Sequence, residues 1–386
     1  MTTSRRTFLR VAASGAGVFL VGTHLAFAQA ASQRRFVFVI QRGAADGLNT
    51  VIPYADPAYA RLRGELAIAP ADALRLDGSF ALHPALAEIA RLYASGQALF
   101  VHAVASPYRD RSHFDGQNVL ETGGTAPYQI KDGWMNRLVT LLPKEGREAI
   151  AFAPTMPMAL RGPAEVTSYA PSALPQASDD LALRVEQLYA ADPQLHALWS
   201  AAMDARSMAG TASEARQRQD PAALGKMAAS FLAQPQGPRI AMIETGGWDT
   251  HSAQNQRLAQ QLRGLDAMVA ALRAGLGPLW SQTVVLVATE FGRTAAANGT
   301  GGTDHGTGSS AMLLGGAVQG GRVLADWPGL GSGALYEGRD LRPTASLDGV
   351  IGQVVGECFG VDPQLVGRTL FPQLPDTRPM SRLLRS

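Results

Sequence analysis

Apolar residues in this chain gather in short unbroken runs. The clearest is Phe36-Val-Phe-Val-Ile40, all β-branched or aromatic, which is the pattern of a strand buried on both faces of a parallel sheet. Similar runs occupy Ala98–Val104, Ile240–Ile243, Thr283–Thr289 and Ala311–Leu314. Between them, apolar positions recur at helical spacing over Pro84–Ala94, His113–Glu121, Gly133–Leu142, Ser252–Leu276 and Ser346–Phe359. Strands alternating with helices predict an α/β fold: a doubly wound, mostly parallel sheet sandwiched by helices. From about Pro175 to Gln236 the alternation stops, and an Ala-, Gln- and Ser-rich stretch keeps helical spacing with few strand signals. It predicts either a helical insertion or cap, or outer helices joined by long loops.

The first residues follow a different pattern. Ser4-Arg5-Arg6-Thr7-Phe8-Leu9-Arg10 precedes a weakly apolar run from Val11 to Phe27 and small residues at Ala26, Ala28 and Ala30. A charged start, a short apolar middle and an Ala-x-Ala end predict a cleaved secretion signal, too short to span a bilayer stably. The paired arginines before Phe-Leu assign it to the twin-arginine translocase. Residues 1–28 are then the signal, residues 29–386 form a single domain, and the product is periplasmic or secreted with no stable membrane span. Removing the signal takes away three arginines and no acid, so the formal charge of +2 falls to about −1. No basic run remains that would suit nucleic acid. Cys358 is the only cysteine, so no disulfide within the chain is available to the fold.

In an open α/β sheet, ligands sit beyond the carboxyl ends of the strands. Here those positions carry acids and imidazoles. The first strand runs into Gly43-Ala-Ala-Asp46-Gly47, the Ile240–Ile243 strand into Glu244-Thr-Gly-Gly-Trp-Asp249-Thr-His251, and the Thr283–Thr289 strand into Glu290-Phe-Gly-Arg293. Gly302-Thr-Asp304-His305-Gly306 precedes the last strand. Oxygen and nitrogen donors converging from separate loops suit a divalent metal, since a cation removes the repulsion among neighbouring acids. Asp46, Asp249, His251, Glu290, Asp304 and His305 are the candidate ligands, for zinc, manganese, magnesium or calcium. The alternative is a salt-bridged network with Arg42 and Arg293. After the Ala98–Val104 strand comes Ser106-Pro-Tyr-Arg109-Asp-Arg111-Ser112-His113. Ser112 and His113 at a helix start, with Arg109 and Arg111 able to fork onto an anion, are the catalytic candidates for a small anionic ester substrate. Two other roles remain open: Ser112 as a helix cap, and a metal-activated water as nucleophile.

Five motifs carry a family resemblance: Arg42-Gly-Ala-Ala-Asp46-Gly47, Tyr108-Arg-Asp-Arg-Ser112-His113-Phe-Asp-Gly-Gln117, Gly246-Gly-Trp-Asp249-Thr-His251, Thr289-Glu290-Phe-Gly-Arg293-Thr and Gly302-Thr-Asp304-His305-Gly306. By these the chain resembles the twin-arginine-exported bacterial family of the domain of unknown function numbered 1501, over nearly its whole length. That family in turn resembles the alkaline phosphatase and sulfatase superfamily, which binds one or two divalent metals at the sheet rim and cleaves phosphate or sulfate esters. The resemblance implies that Asp46 is the first-strand metal aspartate, that Asp249 and His251 are a ligand pair, and that His305 is the late histidine. Glu290 falls where the superfamily has an Asp followed by His, and Phe291 stands in place of that histidine. Ser112 best matches the nucleophile. Ala105 stands where a sulfatase would have its cysteine, so the resemblance does not extend to modified-cysteine chemistry. A non-catalytic binding protein that keeps the fold is the other functional expectation.

Overall fold

The computed structural model describes residues 33–143, 148–170, 185–209, 220–373 and 380–386. The expected signal, residues 1–28, lies outside the described residues. The strands in chain order are β1 (Arg35–Gln41), β2 (Val51–Ile52), β3 (Leu74–Arg75), β4 (Ala81–Leu82), β5 (Ala98–Ala105), β6 (Ala149–Phe152), β7 (Thr167–Ser168), β8 (Ile240–Thr245), β9 (Thr283–Ala288), β10 (Ser309–Leu314), β11 (Arg322–Leu324) and β12 (Ala345–Ser346). Nine of them form one sheet in the order β11-β5-β10-β9-β1-β8-β6-β7, with β12 paired to β5, while β2, β4 and β3 form a small separate sheet. β1 pairs in parallel with both β8 and β9, whereas β10 runs antiparallel to β5 and β9. The sheet is therefore mixed but mostly parallel.

The unbroken apolar runs follow from this arrangement. Phe36, Phe38 and Ile40 of β1 face one hydrophobic cluster and Val37 and Val39 face the other, because successive strand residues point to opposite faces. The helices are α1 (Gly47–Thr50), α2 (Tyr59–Arg63), α3 (Ala87–Ala94), α4 (His113–Thr122), α5 (Trp134–Leu141), α6 (Pro193–Ala209), α7 (Pro221–Leu232), α8 (Gln254–Leu276), α9 (Leu347–Phe359) and α10 (Pro363–Leu370). The first cluster gathers residues of α4, α5, α9 and α10, and the second gathers residues of α3, α7 and α8. Within the stretch expected as an insertion or cap, α7 buries Met227, Ala228, Phe231 and Leu232 in the second cluster. Residues 171–184 and 210–219 of that region lie outside the described residues.

The carboxyl ends of β1, β5, β8 and β9 share one rim, and the antiparallel β10 begins there. The five adjacent strands β5-β10-β9-β1-β8 thus deliver Arg42–Asp46, Ser106–His113, Gly246–His251, Thr289–Arg293 and Gly302–Gly308 to one place.

One buried acid lies apart from this chemistry. Asp348, in the first turn of α9, is fully buried, and neither carboxyl oxygen has a hydrogen-bond partner among the described residues. Burial pushes its pKa up to about 7, with the charge of Arg109 pulling more weakly the other way. The folded state thus holds a proton that the unfolded chain has released, so this group's contribution declines as pH rises from about 4 to about 7 and then levels off. Asp348→Asn should flatten that dependence. At pH 8 it should stabilise the protein by up to about 4 kcal/mol, as read from denaturant midpoints at pH 5 and pH 8.

Candidate metal centre

His113, His251, His305 and Asp249 meet at the rim. Each imidazole is held from behind at Nδ1 by an acceptor. His113 Nδ1 lies 2.9 Å from Glu290 Oε1, His251 Nδ1 lies 3.0 Å from Asp304 Oδ1, and His305 Nδ1 lies 2.9 Å from the Arg111 carbonyl oxygen. A carboxylate or carbonyl only accepts, so an Nδ1–H tautomer would satisfy each of these contacts and leave the Nε2 lone pair for a metal.

The three Nε2 atoms turn toward a carboxylate, and two of them toward each other. His251 Nε2 lies 3.0 Å from His305 Nε2 and 3.0 Å from Asp249 Oδ1, and His305 Nε2 is 3.4 Å from the same oxygen. His113 Nε2 is 3.4 Å from Asp249 Oδ2, is buried and has no hydrogen-bond partner among the described residues. Lone pairs and an anion packed this closely repel unless a proton or a metal cation lies among them. Donor atoms of His113, Asp249 and His305 fall within 4.8 Å of one another. Ligands bound tetrahedrally at zinc distances would stand about 3.3–3.4 Å apart, close to the 3.0–3.4 Å separations among His251, His305 and Asp249. The charge fits as well. Asp249, Glu290 and Asp304 bring three carboxylates against the single guanidinium of Arg293, whose Nη1 donates to Asp249 Oδ1 at 2.6 Å. With the imidazoles neutral, two net negative charges remain for a dication to neutralise.

The surroundings tune each group. Burial raises the Glu290 pKa, but hydrogen bonds from His113, Gln117 and the Gly43 amide outweigh it and keep the group ionised. Burial likewise opposes ionisation of Asp249, and Arg293 and the histidines reverse it. The hydrogen bond to Glu290 raises the His113 pKa, while burial and the neighbouring His113 lower that of His305. Phe291 stacks on His113 at 5.1 Å, so it braces a ligand ring. Gly43, at φ +119, passes so close that a Cβ there would lie 2.6 Å from the Asp249 amide nitrogen; only glycine allows this approach.

The remaining expected site residues are engaged elsewhere. Asp46 is buried, caps α1 through the amides of Leu48 and Asn49, and is ion-paired to the buried Arg63 and bonded by Gln254. Arg109 donates to the carbonyls of Ser106 and Tyr108. Arg111 reaches Asp340 Oδ2 at 2.9 and 2.8 Å and also Glu337. These two guanidiniums therefore bind protein, where the sequence suggested an anion fork. Ser112 is the N-cap residue of α4, but its side chain makes no capping bond. Its amide and side chain pair with the Tyr108 hydroxyl. His113, expected as a catalytic group, lies with Asp249, His251 and His305, while Glu290 and Asp304, expected as ligands, lie behind the rings. Cys358 is buried in α9, its thiol pushed up to about 12, which excludes it from chemistry at the rim. Sequence reasoning passed over Gln117, Arg63, Gln254 and Asp340. Only Gln117, one helical turn after His113, carried a local signal.

Fold and site together define a mostly parallel α/β sandwich bearing a histidine-rich centre, suited to a divalent cation, at its strand ends. The chain belongs to the family described as "Protein of unknown function (DUF1501)", whose model matches residues 33–345. No curated protein matches it. Solved structures similar to it include the phosphonate monoester hydrolase of Agrobacterium radiobacter, at 11% identity over 89% of this chain and 78% of that chain with a TM-score of 0.39. Another is the C-terminal periplasmic domain of EcEptC from Escherichia coli in complex with Zn, at 10% identity over 73% and 72% with a TM-score of 0.38. A third is the alkaline phosphatase of the Antarctic bacterium TAB5, at 11% identity over 73% and 91% with a TM-score of 0.35.

Proposed function

We propose that this protein is an exported, metal-dependent hydrolase of phosphate-type or related esters, with zinc as its ion. The observation that carries the metal is the 3.0 Å approach of the His251 and His305 Nε2 atoms, each ring having an acceptor behind it at Nδ1. Three imidazoles and one carboxylate suit zinc, whereas magnesium and calcium take oxygen ligands. His113, Asp249, His251 and His305 would hold the ion. When bound, it would polarise an ester oxygen and make a water or hydroxyl nucleophilic at neutral pH. The chain's own work is orientation: Glu290, Asp304 and the Arg111 carbonyl fix the rings, and Arg293 keeps Asp249 ionised. Ser112, directly before a ligand and free of capping duty, is the side-chain candidate for nucleophile, with Tyr108 setting its position.

A second reading is a non-catalytic periplasmic or surface protein that keeps the metal centre for binding. The pairing of Arg42, Arg109, Arg111 and Arg293 to protein acceptors favours it, because a small anion would then have only the metal to hold it. Both readings give way to one measurement. The purified wild type should carry about one zinc per chain and hydrolyse at least one of an aryl phosphate, an aryl phosphodiester and an aryl sulfate. Asp249→Ala should lose both properties. A zinc-loaded but inactive wild type selects the binder, and a wild type that neither holds nor takes up metal overturns both.

A further inference from the structure

Asp340 contacts no group of the metal cluster, yet two arginines bound to it grip His305 at both ends. Asp340 is fully buried and both its oxygens are used. Oδ2 accepts two bonds from Arg111, at 2.9 and 2.8 Å, and Oδ1 accepts one from Arg339 Nε at 2.8 Å. Arg111 then presents its carbonyl oxygen to His305 Nδ1 at 2.9 Å, and Arg339 donates to the His305 carbonyl oxygen. One carboxylate thereby fixes the ring at one end and the backbone at the other.

Two further features make the clamp specific. Arg111 has φ +61, a left-handed conformation that arginine adopts only when its surroundings impose it. That conformation aims the carbonyl at His305, and the two bonds to Asp340 Oδ2 pin the side chain. Asp340 is in turn immobile: its amide and carbonyl pair with Tyr336 at 3.0 and 2.8 Å, and it forms a bridge with Thr294. Thr294 adjoins Arg293, which itself bridges His305.

We infer that Asp340 is a positioning residue for the metal centre, acting through Arg111 and Arg339 to hold His305 in one tautomer and one orientation. The inference rests on the zinc-site reading above, and it fits the general dependence of metal affinity on groups that orient the ligands.

The test uses the full chain and zinc alone. Asp340→Asn should weaken zinc binding by about 10- to 100-fold in chelator competition, with the ligand set intact. Arg111→Gly removes the guanidinium while easing the left-handed backbone, and should also weaken binding. Arg111→Lys keeps a charge on Asp340 and should restore part of it. A second readout needs no metal. In 15N NMR of the metal-free protein, His305 should be a single Nδ1–H tautomer in wild type and a tautomer mixture in Asp340→Asn. Zinc affinity and tautomer unchanged in both Asp340→Asn and Arg111→Gly would overturn the inference. A wild type that binds no zinc would overturn the zinc-site reading instead, and the tautomer measurement would still decide the clamp.

Discussion

His305→Ala should lower zinc affinity by about 100-fold or more while changing the stability of the metal-free protein by no more than about 1 kcal/mol. The two halves of this expectation have one cause. With metal bound, His305 would supply one of four donors, and an alanine would leave a gap that water fills less well. Without metal, its Nε2 faces the Nε2 of His251 at 3.0 Å and Asp249 Oδ1 at 3.4 Å, so its removal relieves repulsion. That relief offsets the lost bond to the Arg111 carbonyl. Isothermal titration with zinc and denaturant unfolding in chelator separate the two effects. Loss of apo stability by roughly 1–3 kcal/mol with zinc binding intact would make His305 an ordinary satisfied loop residue.

The sheet was legible because it is buried on both faces. β1, β8 and β9 have no polar positions in their centres to blur the signal, β5 has only the buried His102, and each stands within two residues of its expected run at either end. β6 was not legible: Ala149–Phe152 is four residues long, half of them alanine, too short and too small to stand out from a helix turn. The direction of β10 was hidden as well, since a run of apolar residues is the same pattern in either orientation. At the rim, the strand-end rule pointed to Asp46, Asp249, His251, Glu290, Asp304 and His305; the fold brings the last five together with His113 and turns Asp46 to Arg63. What sequence cannot give is which side of an imidazole a carboxylate lies on. Glu290 and Asp304 stand behind rings and Asp249 stands in front, and only the path of each loop decides that. The supporting pairs are equally invisible locally, because Gln254 with Asp46 spans 208 residues and Arg111 with Asp340 spans 229.

Asp46 gives the largest expected effect on stability. The resemblance implies a metal ligand there, whereas the structure places its carboxylate against Arg63, with side-chain exposures of 1% and 0%. Arg63 also has a buried Nε with no hydrogen-bond partner among the described residues, so Asp46 is the counter-charge it has. Asp46→Ala leaves that guanidinium buried and unpaired, and should destabilise the fold by about 3–5 kcal/mol. Loss of the α1 cap, through Leu48 at 3.0 Å and Asn49 at 3.3 Å, adds about 1 kcal/mol. The double variant Asp46→Ala, Arg63→Met should recover most of this, because replacing a buried pair together costs far less than orphaning one partner. Zinc content per folded chain should stay near wild type in both variants. If Asp46→Ala instead loses zinc while moving the denaturant midpoint by less than about 1 kcal/mol, and Arg63→Met restores nothing, then Asp46 serves the metal and the ion pair is incidental.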